Sequence, residues 1–116
     1  MSQYDIDSTK ILLVAEKLGE LFHKSELYKD YCQYKKTLEN DPFLLERVAV
    51  YKKAQFDLET RRLQGDYISL DDEKRMSYHY TELSLHPIAG KFLTCEYELL
   101  NLYRRAMDIV SDACEI

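Results

Sequence analysis

Apolar residues recur along this chain at steps of three and four, the spacing of one face of an α-helix. Ile11, Val14, Ala15, Leu18, Leu21 and Phe22 form the first stripe, with Asp7 or Ser8 placed to cap its start. Leu27, Tyr31, Tyr34 and Leu38 form a second, opened by Ser25 and closed by Asn40. A third helix is predicted from Pro42 to about Gln64, and a short fourth one shows Met76, Tyr80 and Leu83. The last is the most regular. Ile88, Phe92, Cys95, Leu99, Leu102, Ala106, Ile109 and Ala113 alternate steps of four and three over nearly four heptads. Leu100, Tyr103, Met107 and Val110 flank that seam.

The breaks between stripes carry their own signals. Asp41-Pro42 reads as a cap followed by a proline at the first helical position, where its missing N–H costs nothing. Leu85-His86-Pro87 is a second corner of this kind. Gly65 is predicted just past the end of the third helix in a left-handed conformation. Ser69 with Asp72 three residues on resembles a capping box, and Asp71, Asp72 and Glu73 sit where the helix dipole favours negative charge. The pattern predicts one all-α domain over residues 1–116, an elongated bundle of about five helices with a long C-terminal amphipathic helix.

The third helix is apolar on two sides. Leu44, Val48, Tyr51 and Leu58 form one stripe; Leu45, Ala49, Phe56 and Leu63 form the other. The larger area of Phe56 and Leu63 assigns the second stripe to the chain's own core. Leu44, Val48, Tyr51 and Leu58 are then the expected interaction surface, with Tyr51 suited to a wet rim. Together with the long C-terminal seam, this predicts self-association, most simply a homodimer.

Composition narrows the class. Only 3 Gly and 2 Pro occur, too few turn formers for an all-β domain. There is no long apolar run, so no membrane contact is expected. The polar, acidic residues 1–10 do not read as a signal peptide, and a cytoplasmic location is expected. A net charge of −5 argues against a phosphate-backbone binder, and no sequence-specific nucleic-acid contact is expected. The basic doublets, such as Arg61-Arg62 and Arg104-Arg105, point about 100° apart on a helix and so form no stripe.

Candidate chemistry is sparse. Glu20 and His23 have the Glu-x-x-His spacing of carboxylate-bridged metal bundles, but only one such motif occurs, and it reads as a surface pair. Asp71, Asp72 and Glu73 are explained by the helix dipole without a cation. Cys32, Cys95 and Cys114 are odd in number and far apart, with no Cys-x-x-Cys pair, so neither disulfide nor self-contained metal site is predicted. No nucleophile elbow, phosphate loop or dinucleotide fingerprint is present. Ten tyrosines without a tryptophan suit bundle edges or a protein interface.

The order of these signals resembles the YlbF/YmcA family of small helical bacterial regulators. The residues that carry the likeness are Ser25-Glu26-Leu27-Tyr28, Leu38-Glu39-Asn40-Asp41-Pro42, Gln64-Gly65, the Ser69 cap, the corner at Pro87 and residues 91–98. It spans about residues 11–113. Asn40, Asp41, Pro42, Gly65, Ser69 and Pro87 are its structural motif. His86 stands where the family often has Asn, and the third helix keeps only Gln55 and Gln64 of a usually Gln-richer pattern. The resemblance implies a non-enzymatic regulator that assembles with related small helical regulators. It also implies an accessory role to the endoribonuclease RNase Y in messenger RNA processing, and a part in competence, sporulation or biofilm control. Some members hold iron–sulfur clusters through cysteines near the C-terminus. Here only Cys114 lies there, so no catalytic, cofactor or metal residue is expected and no cofactor is carried over. The second class of reading is a redox or metal sensor using Cys114 shared across an oligomer.

Overall fold

The structure, a computed structural model, describes residues 2–116. Five helices follow in order: α1 Gln3–Lys24, α2 Glu26–Glu39, α3 Pro42–Leu63, α4 Leu70–Ser84 and α5 Pro87–Cys114. No strand occurs among the described residues.

Local chemistry sets most of the boundaries. The Ser25 hydroxyl accepts from the Tyr28 N–H at 3.2 Å, and Asn40 ends α2. Asp41 accepts from the Leu44 N–H at 3.1 Å ahead of Pro42 at the first position of α3. Ser69 accepts from the Asp72 N–H at 3.0 Å. At the second corner His86 does what an Asn would do. Its Nδ1 accepts from the N–H groups of Ile88 and Ala89 at 3.1 and 3.4 Å, which places any ring proton of the neutral form on Nε2. Pro87 then opens α5. One boundary differs from expectation. α1 begins at Gln3, not near Ser8. Ser2 and Asp5 form a reciprocal capping box that outcompetes Asp7 and Ser8.

Gly65 has φ 80°. The Gly65 N–H reaches the Arg62 carbonyl and the Asp66 N–H reaches the Arg61 carbonyl, the paired bonds that close a helix end. A Cβ at Gly65 would meet nothing within 4 Å. The cost of a side chain there is therefore conformational alone. Gly65→Val is expected to cost about 1–2 kcal/mol and to lower the melting temperature by about 4–8 °C in thermal unfolding.

α5 is the spine. α2 packs along it most extensively, α4 crosses its first turns, and α3 leans on α4 and α2; α1 packs on α2. The core lies where α2, α3, α4 and the first turns of α5 meet. It holds Leu38, Leu44, Val48, Tyr51, Leu83, Ala89 and Phe92, ringed by Tyr31, Tyr34, Met76, Ile88 and Leu93. Gly90 is the closest approach: a Cβ there would stand 2.3 Å from the Ser84 carbonyl oxygen. The α4 chain thus crosses α5 with no room for a side chain.

The two stripes of α3 are the reverse of the expectation. Leu44, Val48, Tyr51 and Leu58 are buried inside the chain. Leu45 and Ala49 are exposed, as are Phe56 at 71% and Leu63 at 88%. The proline corner after Asp41 decides this, because α2 and α4 lie on the Leu44 side. Apolar area on α3 alone does not report where its neighbours are.

The shape is open. The radius of gyration is 18.9 Å and the extents are 58 × 38 × 19 Å, where a compact chain of this length has a radius near 13 Å.

Candidate interaction surface

With the Leu44 stripe inside, the surfaces that face outward are elsewhere. α1 contributes no buried residue at all. Tyr4, Ile11, Val14 and Leu21 of its apolar face are exposed, and only Leu18 and Phe22 are half-covered. Its last turn meets α5 through Phe22 and Tyr103, whose ring centres are 6.3 Å apart. The second half of α5 is equally bare. Leu102, Tyr103, Ile109 and Val110 are exposed along the seam and its flank. The heptad pattern therefore serves two purposes: Ile88 and Phe92 fill the chain's own core, and the turns beyond Leu99 do not. The outer face of α3, with Leu45, Phe56 and Leu63, is a third apolar surface.

Polar groups frame these faces. Lys52 of α3 bonds Glu96 of α5 at 2.7 Å and lies over the Phe92 ring. Arg61 and Arg62 reach across to the first turn of α4, at 3.6 Å from Asp72 and 3.4 Å from Glu73; Arg75 adds a 3.5 Å contact to Asp72. Two of the three acidic residues of that turn, Asp72 and Glu73, thus face arginines as well as the helix dipole. Hydrogen bonding to Ser69, then Arg61 and Arg75, hold the Asp72 carboxyl below its ordinary value. A lowered carboxyl pKa gives stability that is present at neutral pH and is lost as pH falls below about 4. Asp72→Asn is accordingly expected to flatten the acid limb of a melting temperature against pH curve, leaving the neutral limb shifted down. Between α3 and α4 lies an open groove of about 550 Å³ lined by Leu58, Arg61, Asp72, Met76, Tyr78 and His79, among others.

Glu20 and His23 are exposed, with His23 against the Tyr28 ring at 5.1 Å. No group of three or more His, Cys, Asp or Glu among the described residues is arranged to hold a metal ion. Cys32 and Cys95 are half-buried and Cys114 is exposed at the last position of α5. Burial, with Asp30 and Glu98 nearby, pushes the Cys95 thiol up, away from the reactive thiolate. Cys114 is nineteen residues further along the same helix, about 28 Å at 1.5 Å per residue. The tyrosines divide: Tyr31 stacks on Phe92 at 5.6 Å and Tyr51 is buried, whereas Tyr4, Tyr67, Tyr78, Tyr80, Tyr97 and Tyr103 are exposed. Gly90 is the structural residue that sequence reading passes over, since a glycine inside a helix carries no local signal of a crossing.

This is an all-helical protein of open shape whose distinguishing surfaces are apolar helix faces rather than a polar cleft. Residues 11–115 match the family described as control of competence regulator ComK, YlbF/YmcA, and the chain belongs to that family. A UPF0342 protein of Caldicellulosiruptor bescii is 28% identical over 102 residues, covering 88% of this chain and 86% of that one. A UPF0342 protein of Caldicellulosiruptor saccharolyticus is 27% identical over 103 residues, covering 89% and 86%. A solved structure, a protein of unknown function (DUF964) from Bacillus stearothermophilus, shares the fold with a TM-score of 0.78 at 13% identity. It covers 91% of this chain and 93% of that one.

Proposed function

We propose that this protein is a non-enzymatic regulator that works by laying apolar helix faces on other proteins. The observation that carries the reading is the exposed outer face of α3, where Phe56 and Leu63 stand 71% and 88% exposed on a rigid helix anchored by four buried residues. A helix fixed on one face and apolar on the other suits helix-in-groove recognition. Family membership supports a role in competence control. Within that role the partners fitted to such a face are related small helical regulators and the endoribonuclease RNase Y, with sporulation and biofilm formation as further outputs.

The test is quantitative binding of purified candidate partners. Phe56→Ala and Leu63→Ala are each expected to weaken binding by about 1–3 kcal/mol, the range for interface anchors, while leaving the helical circular dichroism unchanged. Unaltered affinity in both variants contradicts the reading. Purification under anaerobic conditions addresses the sensor reading through Cys114: an adaptor is colourless, and a cluster gives a broad visible absorption.

A further inference from the structure

We infer that the corner between α4 and α5 is an acid-sensitive latch, closed by unprotonated His86 and released when its imidazole takes a proton. This stands apart from the regulatory reading and rests on the corner alone.

His86 caps the longest helix of the chain. Its Nδ1 accepts from the Ile88 and Ala89 N–H groups at 3.1 and 3.4 Å. The other helices are capped by the hydroxyls of Ser2, Ser25 and Ser69 and the carboxyl of Asp41. Those groups have acceptor oxygens with or without an added proton. An imidazole differs. Its one acceptor is the nitrogen that takes the proton, and an imidazolium only donates. A proton at Nδ1 therefore removes both bonds and sets N–H against N–H. It also puts positive charge at the N-terminus of α5, where the helix dipole opposes it. Imidazole is the side chain that ordinarily changes charge in mild acid, so this cap alone among the five is open to release there.

The surroundings leave that balance in place. The open hollow beside the ring, about 420 Å³, receives Asp30 and Tyr34 from α2 and Lys91 and Cys95 from α5; α4 adds Ser84 and no charge. Asp30 and Lys91 are one of each sign, and the Lys91 Nζ lies over the Tyr34 ring at 5.7 Å. Burial, with Asp30 and Glu98 nearby, pushes the Cys95 thiol up, so it stays neutral.

The latch holds the crossing of α4 on α5. The His86 N–H bonds the Leu83 carbonyl at 3.1 Å, and the Gly90 N–H bonds the His86 carbonyl at 2.9 Å. Leu83 is buried, and Gly90 has no room for a side chain against Ser84. Loss of the cap thus loosens the first turn of α5 and the seat of α4 together, and α3 packs on α4 in turn. The unfolded chain takes a proton on imidazole freely at about pH 6.5, whereas the closed corner takes it only by giving up two bonds. The stability that the latch contributes is full above that pH and is lost as the pH falls below it.

Thermal unfolding of wild type, His86→Asn and His86→Ala at about pH 7.5 and about pH 5.0 tests this. An Asn amide oxygen caps in both conditions, and Ala caps in neither. All three chains keep His23 and His79, so the differences between them isolate the corner. At neutral pH wild type is expected level with His86→Asn and about 4 °C above His86→Ala. In mild acid wild type is expected close to His86→Ala, with His86→Asn about 4 °C higher. Wild type that parallels His86→Asn in both conditions overturns the latch. Wild type level with His86→Ala at neutral pH overturns the cap itself. If the variants do not fold, NMR of the wild-type imidazole nitrogens and backbone amides decides. A neutral His86 protonated on Nε2, with Ile88 and Ala89 amide signals that move as the ring titrates, sustains the latch; amide signals that stay fixed overturn it.

Discussion

Gly90→Ala is expected to cost at least about 3 kcal/mol, at the upper end of overpacking effects, and to lower the melting temperature by more than about 10 °C. The added methyl would stand 2.3 Å from the Ser84 carbonyl oxygen and 3.0 Å from its carbon. These are backbone atoms, so no rotamer change relieves the clash. Nor can the backbone slide away easily. Ser84 is the last residue of α4, Leu83 beside it is 1% exposed, and the corner that follows is held by His86 and Pro87. Relief requires α4 to lift off α5, which opens the packing around Leu83 and Ala89. Gly19→Ala is the control. A Cβ at Gly19 meets nothing within 4 Å, and alanine is the better helix former by about 1 kcal/mol. One Gly→Ala change therefore lowers the melting temperature and the other leaves it level or raises it. Equal effects at both sites would contradict the close crossing of α4 and α5.

Tyr51→Ala is expected to destabilise the fold by about 3–5 kcal/mol, the range for emptying a core aromatic, whereas Phe56→Ala stays within about 0.5 kcal/mol. Tyr51 is 4% exposed and packs edge-on to His79 and against Tyr80, with ring centres 6.3 and 6.1 Å away. Burial, with Tyr80 nearby, pushes its phenol up, so the neutral hydroxyl is the form that the folded chain keeps. Phe56 lies five residues further along the same helix and touches solvent instead. The contrast between the two in chemical denaturation reads directly which side of α3 is inside. If Phe56→Ala unfolds the protein and Tyr51→Ala does not, the orientation of α3 is wrong.

That contrast also marks what a sequence can and cannot say here. Ser25, Asp41-Pro42, Gly65, Ser69 and Pro87 were legible because a cap or a left-handed turn is written in residues a few positions apart. The start of α1 was harder, because Ser2, Asp5, Asp7 and Ser8 all offer capping groups within about two turns, and only the reciprocal Ser2–Asp5 pair satisfies two backbone N–H groups at once. The orientation of α3 was not legible. Both stripes are apolar, and which of them is buried depends on helices far away in sequence. The role of Gly90 was hidden for a different reason: its neighbour is the Ser84 backbone across the nearby corner, and no residue type marks how closely two helices meet there. The seam of α5 was legible as a pattern but not as a division of labour, since the sequence does not mark Leu93 as the last residue of α5 to join the chain's own core.

The central claim is that this chain acts through apolar helix faces laid on other proteins, the outer face of α3 foremost. Titration of a purified candidate partner, a related small helical regulator or RNase Y, against wild type and the Phe56→Ala, Leu63→Ala double variant tests it most directly, because both side chains stand in solvent and neither holds the fold. The account predicts binding by wild type that the double variant weakens at least about tenfold, with the melting temperature unchanged. Equal affinity for both chains would contradict it.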